Sequence, residues 1–207
     1  MSIRREAGKR FARLVTNVVV RRPGLWRLVR GPMRAQFEEL APEWDSLRGP
    51  LSFLPLETAL AALDGAPARA LDVGTGTGTA ATIVARQFPD AEVVGVDLAQ
   101  AMVDEARRKL PPELDGRVSF EQGDASALRF DDGSFDLLTL ANVIPFFDEL
   151  TRVAAPGAAA VFSFSLGPRT PIWVPPERLR AELGRRGFSQ FAEFSAGNGT
   201  ALVARKE

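Results

Sequence analysis

The feature that most constrains this chain is a short apolar run that ends in glycines. Ala70-Leu71-Asp72-Val73 passes directly into Gly74-Thr75-Gly76-Thr77-Gly78-Thr79, and a helical pattern follows over Thr79–Gln87. A strand that ends in such a loop and opens a helix brings backbone N–H groups close to a ligand, because glycine has no Cβ in the way. The pattern admits a nucleotide or a nucleoside-bearing cofactor. A tight glycine turn with no ligand is the plain alternative.

The same rhythm continues downstream. Glu92–Val96 reads as a second strand, and Gln100–Leu110 as a helix stopped by Pro111-Pro112. Val118–Glu121 and Phe135–Leu140 read as strands, Phe147–Ala154 as a helix, and Ala158–Phe164 as a fifth strand. Pro176–Arg186 is helical, and Phe191–Ser195 with Ala201–Arg205 form a terminal hairpin around Gly197-Asn198-Gly199. Strands alternating with helices imply an α/β fold: a Rossmann-like, doubly wound, mostly parallel seven-stranded sheet with a C-terminal antiparallel hairpin. The first 50 or so residues lack this rhythm. They read as an N-terminal helical arm of two or three helices, broken at Pro23, Pro32 and Pro42.

Composition narrows the chemistry. The 207 residues contain no Cys, His or Tyr. A disulfide framework, a Cys/His zinc site and Ser–His or Cys–His nucleophilic machinery are therefore all excluded. Nothing in the sequence calls for a metal. Basic and acidic side chains balance at 26 each, yet residues 1–34 hold ten basic groups and one acid, about +9. No apolar run is long enough to span a bilayer, and Lys9, Arg10 and Arg13 interrupt any signal-peptide core. A cytoplasmic protein is expected.

Two carboxylates choose between cofactors. A dinucleotide fingerprint would place its third glycine at position 79, where Thr79 stands. Asp72, just inside the loop, suits a cofactor bearing an ammonium group and suits a pyrophosphate poorly. Asp97 ends the second strand, where its carboxylate can accept both ribose hydroxyls. Capping the next helix is its other reading.

Four ordered segments then resemble the class I S-adenosylmethionine-dependent methyltransferases, of the small-molecule, ubiquinone/menaquinone-methyltransferase-like type. Leu71 to Gly78 resembles the cofactor loop, and Val96-Asp97-Leu98-Ala99-Gln100-Ala101-Met102 the ribose-binding turn. Gly123-Asp124-Ala125 with Leu128 to Asp136 resembles the adenine segment and fourth strand, and Arg152 to Gly157 the turn before the fifth strand. The similarity covers roughly residues 67–207, and Ala158 stands where a second glycine is usual. It implies an S-adenosylmethionine-binding methyltransferase domain over 51–207, preceded by residues 1–50, whose charge and spacing read as a basic amphipathic helical arm or lid.

It further implies that Asp72, with the Gly74, Thr75, Gly76 and Gly78 loop, holds the amino-acid end of the cofactor. Asp97 would bind the ribose, and Leu98 and Met102 would pack on the adenine. Asp124 would accept from the adenine amino group, and the Ala125 N–H would donate to the ring. Met102 as an ordinary core residue and Asp124 as a turn residue remain alternatives.

Methyl transfer from a sulfonium is an in-line displacement that needs alignment more than acid–base groups, and alignment is worth up to roughly 7–11 kcal/mol. The absence of His, Cys and Tyr fits it, and S-adenosylhomocysteine would be the product. Ala141-Asn142-Val143-Ile144-Pro145-Phe146-Phe147-Asp148 is expected to face the transferred methyl, with Asn142 at the site and Phe146 and Phe147 lining the acceptor or the core. The run does not match the Asn/Asp-Pro-Pro-aromatic signature of many nucleic-acid methyltransferases, so a small, partly apolar acceptor is favoured. Glu43, Asp45 and Asp148 are candidates for a base, and none is named. The other readings are a nucleic-acid methyltransferase using the basic arm, a non-catalytic cofactor-binding protein and a nicotinamide-dependent oxidoreductase.

In the arm, Ile3, Ala7, Phe11, Leu14, Val15, Val18 and Val19 follow one helical face, with Arg4, Arg5, Lys9, Arg10 and Arg13 largely off it. The expectation is a lid, with Glu43, Trp44 and Asp45 forming part of it, that packs on its own domain or on a homodimer mate. Peripheral membrane contact, suited to a lipid-like acceptor such as a quinone precursor, is the second reading. Nucleic acid is the third.

Overall fold

The computed structural model describes residues 2–49 and 51–207, with side chains from Arg10 onward. Elements are numbered in chain order. The arm holds α1 (Ser2–Arg21) and α2 (Trp26–Leu40), and α3 (Leu54–Ala61) leads into the sheet domain. There β1 (Arg69–Val73), α4 (Thr79–Gln87), β2 (Glu92–Asp97), α5 (Gln100–Lys109), β3 (Val118–Gln122) and β4 (Phe135–Ala141) follow in turn. The chain ends with α6 (Phe147–Val153), β5 (Ala154–Phe164), α7 (Pro176–Gly184), β6 (Phe188–Ala196) and β7 (Gly199–Lys206). The seven strands form one sheet in the order β3-β2-β1-β4-β5-β7-β6. Strands β1 to β5 pair in parallel, whereas β7 runs antiparallel to both β5 and β6.

Period-two alternation within the strands builds two cores. Ala70, Leu137, Ala159 and Val161 face α3, α4 and α5. Leu71, Leu138, Ala160 and Phe162 face α1, α6 and α7 on the other side. The expected doubly wound sheet with its terminal hairpin is what forms. Gly197, at φ 56, turns the hairpin, and Gln190, at φ 52, marks the bulge between Ser189 and Ala192.

Two local expectations need correction. Pro32 does not break the arm: α2 runs through it from Trp26 to Leu40. Gly31 and Pro32 are exposed, so the carbonyl that loses its partner faces water, while Trp26 and Met33 bury the inner face. The fifth strand starts at Ala154 rather than Ala158. A register shift between Phe135 and Leu137 on β4 absorbs the residues around Gly157, which takes φ 80. Helix α3 has no side-chain N-cap, although Pro55 and Glu57 stand in its first turn, and Leu56, Ala59 and Leu60, at helical spacing, bury against the sheet.

In α1, Val15, Thr16, Val19 and Val20 are buried, and Arg13 donates to the Pro168 and Thr170 carbonyls at 2.8 and 2.7 Å. The arm therefore packs on its own domain. The side chains of Ile3 and Ala7 on the expected face, and of Arg4, Arg5 and Lys9 off it, lie outside the described residues. Among those residues, no helix is long and apolar enough to cross a membrane.

Candidate functional site

The sheet reverses direction of growth between β1 and β4, and open α/β sheets bind ligands in the crevice beyond such a switch point. The C-terminal ends of β1 to β4 converge there. Gly74, Gly76 and Gly78 take φ 66, 54 and 82, a region that L side chains rarely enter, so this loop requires its glycines. The Thr75 N–H donates to the Val96 carbonyl at 2.9 Å, and the Gly76 N–H to Asp97 Oδ2 at 2.8 Å. These two bonds clip the glycine loop to the end of β2.

Asp97 also accepts from the Ala99 N–H, through Oδ1 at 3.0 Å, so one carboxylate both pins the loop and caps the turn into α5. Each oxygen keeps a lone pair for a further donor. Burial raises its pKa, against the Ala99 and Gly76 N–H groups and Arg48.

Asp72 is 1% exposed. Its Oδ1 accepts from the Thr139 hydroxyl at 2.8 Å. Burial pushes its pKa up to about 6, against the Thr75 and Thr139 hydroxyls and the Arg48 charge. The Thr75 hydroxyl lies near enough to oppose the shift without meeting hydrogen-bond geometry. Among the described residues, five buried side-chain polar atoms lack a partner, and three of these belong to this site: Trp44 Nε1, Asp72 Oδ2 and Thr75 Oγ1. Buried polar groups cost stability when unpaired, so their clustering marks a place built for a polar ligand.

The arm lies across this edge of the sheet. Glu38 accepts from the Gln100 and Ala101 N–H groups at 2.9 and 2.8 Å, supplying the start of α5 with a carboxylate from another helix. Burial opposes that charge, but these N–H groups and Arg34 outweigh it and hold Glu38 below its ordinary pKa. Trp44 Nε1 lies 3.2 Å from where a Cβ on Gly76 would project. Asp45 accepts from Thr77 and Lys109; they overcome burial and hold its carboxyl low. Asp148 pairs with Arg186 at 2.7 Å, and Glu43 is exposed.

The remaining expected residues divide. Met102 is fully buried with Ala41 and Ala99, against Phe37 and Trp44, so it joins α5 to the arm as a core residue. Leu98 and Ala125 are half-buried against the main core. Asn142 takes φ 60 and accepts through Oδ1 from the Ser165 N–H at 2.9 Å and its hydroxyl at 3.2 Å, tying the ends of β4 and β5 together. Val143 packs against Gly74, where a Cβ would approach within 2.4 Å of it. Phe146 and Phe147 are core.

Asp124 is held by three donors. Trp26 Nε1 donates to Oδ1 and Oδ2 at 2.9 and 3.1 Å, the Ser126 N–H to Oδ1 at 2.9 Å, and Arg30 to Oδ2 at 3.4 Å. A cleft of about 630 Å³, lined in part by Trp26, Arg27, Arg30, Ser126, Phe146 and Phe147, reaches this carboxylate's neighbours but none of the glycine-loop residues. Sequence reasoning missed Glu38 and Arg48. Their signal is spatial, since a lone Glu or Arg in an arm carries no motif.

Known proteins agree with this geometry. Residues 70–160 match the family described as "Methyltransferase domain". A demethylmenaquinone methyltransferase of Thermus thermophilus is 42% identical over 138 residues, 60% of this chain and 62% of that protein. A ubiquinone/menaquinone biosynthesis C-methyltransferase of Geobacter sulfurreducens is 34% identical over 152 residues, 67% of this chain and 59% of that protein. The chain thus spans about three fifths of the length of these relatives. In fold, it is similar to a SAM-dependent methyltransferase from Aquifex aeolicus, with a TM-score of 0.65 at 20% identity over 80% of this chain and 97% of that one. With the glycine loop, the switch-point position and quinone-methyltransferase relatives in agreement, the chain belongs to the class I S-adenosylmethionine-dependent methyltransferases.

Proposed function

We propose that this chain transfers a methyl group from S-adenosylmethionine to a small, partly apolar acceptor of the quinone-precursor class. The observation that carries the reading is the cluster of unpaired buried polar atoms around a glycine cradle beside Asp97. The names of the relatives support the acceptor class.

The residues fit the cofactor. Asp72 Oδ2 offers an ionic acceptor to an ammonium group, and Asp97 has lone pairs left for a ribose diol. When bound, the cofactor supplies a methyl on a sulfonium, which leaves as a neutral thioether while the acceptor's electron pair forms the new bond. The chain's task is to hold and align. The loop pinned by Thr75 and Gly76 fixes the cradle, and Val143 closes it from the β4 side. Leu47, Leu51 and Leu166 are exposed at 42, 57 and 43% in segments bordering this edge, where apolar surface suits an apolar acceptor.

The outer face of α1 supports a bilayer as the source of such an acceptor. Phe11, Leu14 and Val18 are exposed on it, and Arg10, Arg21 and Arg22 are exposed nearby. An apolar stripe among cations suits an anionic membrane surface.

The test is incubation with methyl-labelled S-adenosylmethionine and a panel of demethylated naphthoquinols, benzoquinols, small polar amines and nucleic acid. Label is expected in a quinol product. Cofactor binding with no label in any acceptor would leave a cofactor-binding protein, and label in nucleic acid would overturn the small-molecule reading.

A further inference from the structure

Arg48 is an arm residue whose guanidinium reaches the glycine cradle. It follows the last short helical turn of the arm, Asp45–Leu47, and its backbone is extended, at φ −100 and ψ 140. Its guanidinium carbon lies 5.0 Å from the centroid of the Trp44 ring and 4.9 Å from that of Phe53. Two aromatic faces thus hold a planar cation in one pose. Burial lowers its pKa, while Asp45, Asp72 and Asp97 raise it, so three carboxylates face it. Among the described residues its side chain nevertheless forms no hydrogen bond or ion pair, while Asp45 pairs with Lys109 and Thr77, and Asp97 accepts from Gly76 and Ala99. One of its nitrogens, Nη2, lies 3.7 Å from where a Cβ on Gly76 would project, and the unpaired Trp44 N–H lies 3.2 Å from the same point.

Two uncommitted donors, one of them cationic, therefore meet at the glycine cradle, which follows the end of β1 that carries the uncommitted acceptor Asp72 Oδ2. A ligand group that satisfies both donors is anionic and compact. A ligand that satisfies the acceptor as well carries a cation beside that anion, as an α-amino acid does. We infer that the arm supplies a carboxylate clamp, Arg48 with Trp44 Nε1, that binds the α-carboxylate of an adenosyl amino acid while Asp72 takes its ammonium. This inference rests on the cofactor reading above and assigns to the arm half of the amino-acid subsite. Selectivity for the zwitterion over adenosyl compounds that lack it then depends on residues outside the 70–160 domain match.

A simple counter-ion role for Arg48, neutralising Asp72 and Asp97, would affect all adenosyl ligands alike. The clamp would affect only those with a carboxylate. The experiment is calorimetric titration of the full chain with S-adenosylhomocysteine and with its decarboxylated analogue, which keeps the ammonium. A charge-assisted pair is worth enough for the unmodified chain to favour S-adenosylhomocysteine by about tenfold or more. Arg48→Met is expected to remove most of that preference while leaving the analogue's affinity within about twofold. Arg48→Lys should restore part of it, and Trp44→Phe, which keeps a ring beneath the guanidinium, should lower it by about threefold. Trp44→Phe carries the test if Arg48→Met does not fold.

An unchanged preference in these variants, or an equal loss for both ligands, overturns the clamp and leaves the cofactor reading standing. Failure of the unmodified chain to bind either ligand overturns both.

Discussion

The indole N–H of Trp26 is shared between the two carboxylate oxygens of Asp124, at 2.9 and 3.1 Å, across 98 positions of sequence. Trp26 also meets Phe146 edge-on, with ring centroids 5.3 Å apart. With the Ser126 N–H and Arg30 added, three donors crowd the Asp124 carboxylate, and the shared indole N–H draws on both of its oxygens. Asp97 differs, because it keeps acceptor capacity on both oxygens. An adenine amino group at Asp124 would compete with the Trp26 N–H for the same oxygens.

Trp26→Phe is therefore expected to tighten cofactor binding by about threefold or more, because a competing donor is removed while the ring stays. Calorimetry checks this. Tenfold weaker binding would mean that Trp26 supports the site and that Asp124 serves the arm. In the unmodified chain, cofactor binding should also change the emission of Trp26, one of only three tryptophans.

Asp97→Ala should cost roughly 2–4 kcal/mol of cofactor affinity through lost charge-assisted acceptors. It should also lower the melting temperature, since the same carboxylate pins Gly76 and caps Ala99. A variant that loses stability but binds the cofactor like the unmodified chain would reduce Asp97 to a cap.

Asp72 gives a pH signature. Its pKa rises from an ordinary 3.8 to about 6 on burial, so the folded state binds more protons than the unfolded state between those values. Its destabilising contribution is absent below pH 3.8, grows as pH rises and is complete above about 6, where it amounts to on the order of 3 kcal/mol. Asp72→Asn should accordingly raise the melting temperature at pH 7 and leave it nearly unchanged at pH 4. Binding runs the other way. An ammonium partner needs the ionised carboxylate, so affinity should fall as pH drops through about 6, with proton release on binding near that pH. Titrations in buffers of different ionisation enthalpy measure that release. Pairing of the ammonium elsewhere would show as pH-independent affinity.

The outer face of α1 predicts co-sedimentation with anionic vesicles that weakens as salt rises. Leu14→Glu should abolish it without changing cofactor affinity, because Leu14 is 62% exposed and touches no part of the site. Equal sedimentation with neutral vesicles, or none with either, would sink the membrane reading.

Local sequence determined the sheet domain. Glycines that need positive φ, β-branched and aliphatic runs of period two, and helices bounded by Pro111 and Gly78 act over a few residues, so the strands, α4 and the cradle could be read directly. Asp72 and Asp97 were legible because each stands at the end of such a run.

Tertiary structure decided the arm. Pro32 signals a helix end locally, yet burial of Trp26 and Met33 carries α2 past it. Nothing local says that Glu38 meets the start of α5, that Trp26 meets Asp124, or that Arg48 settles against Trp44 and Phe53 beside the cradle. Partners such as Trp26 and Asp124, or Glu38 and α5, lie tens of residues apart, and periodicity reports only which face of an element is apolar. Which surface that face covers, and which polar atoms it leaves unpaired there, is set by packing of the whole chain.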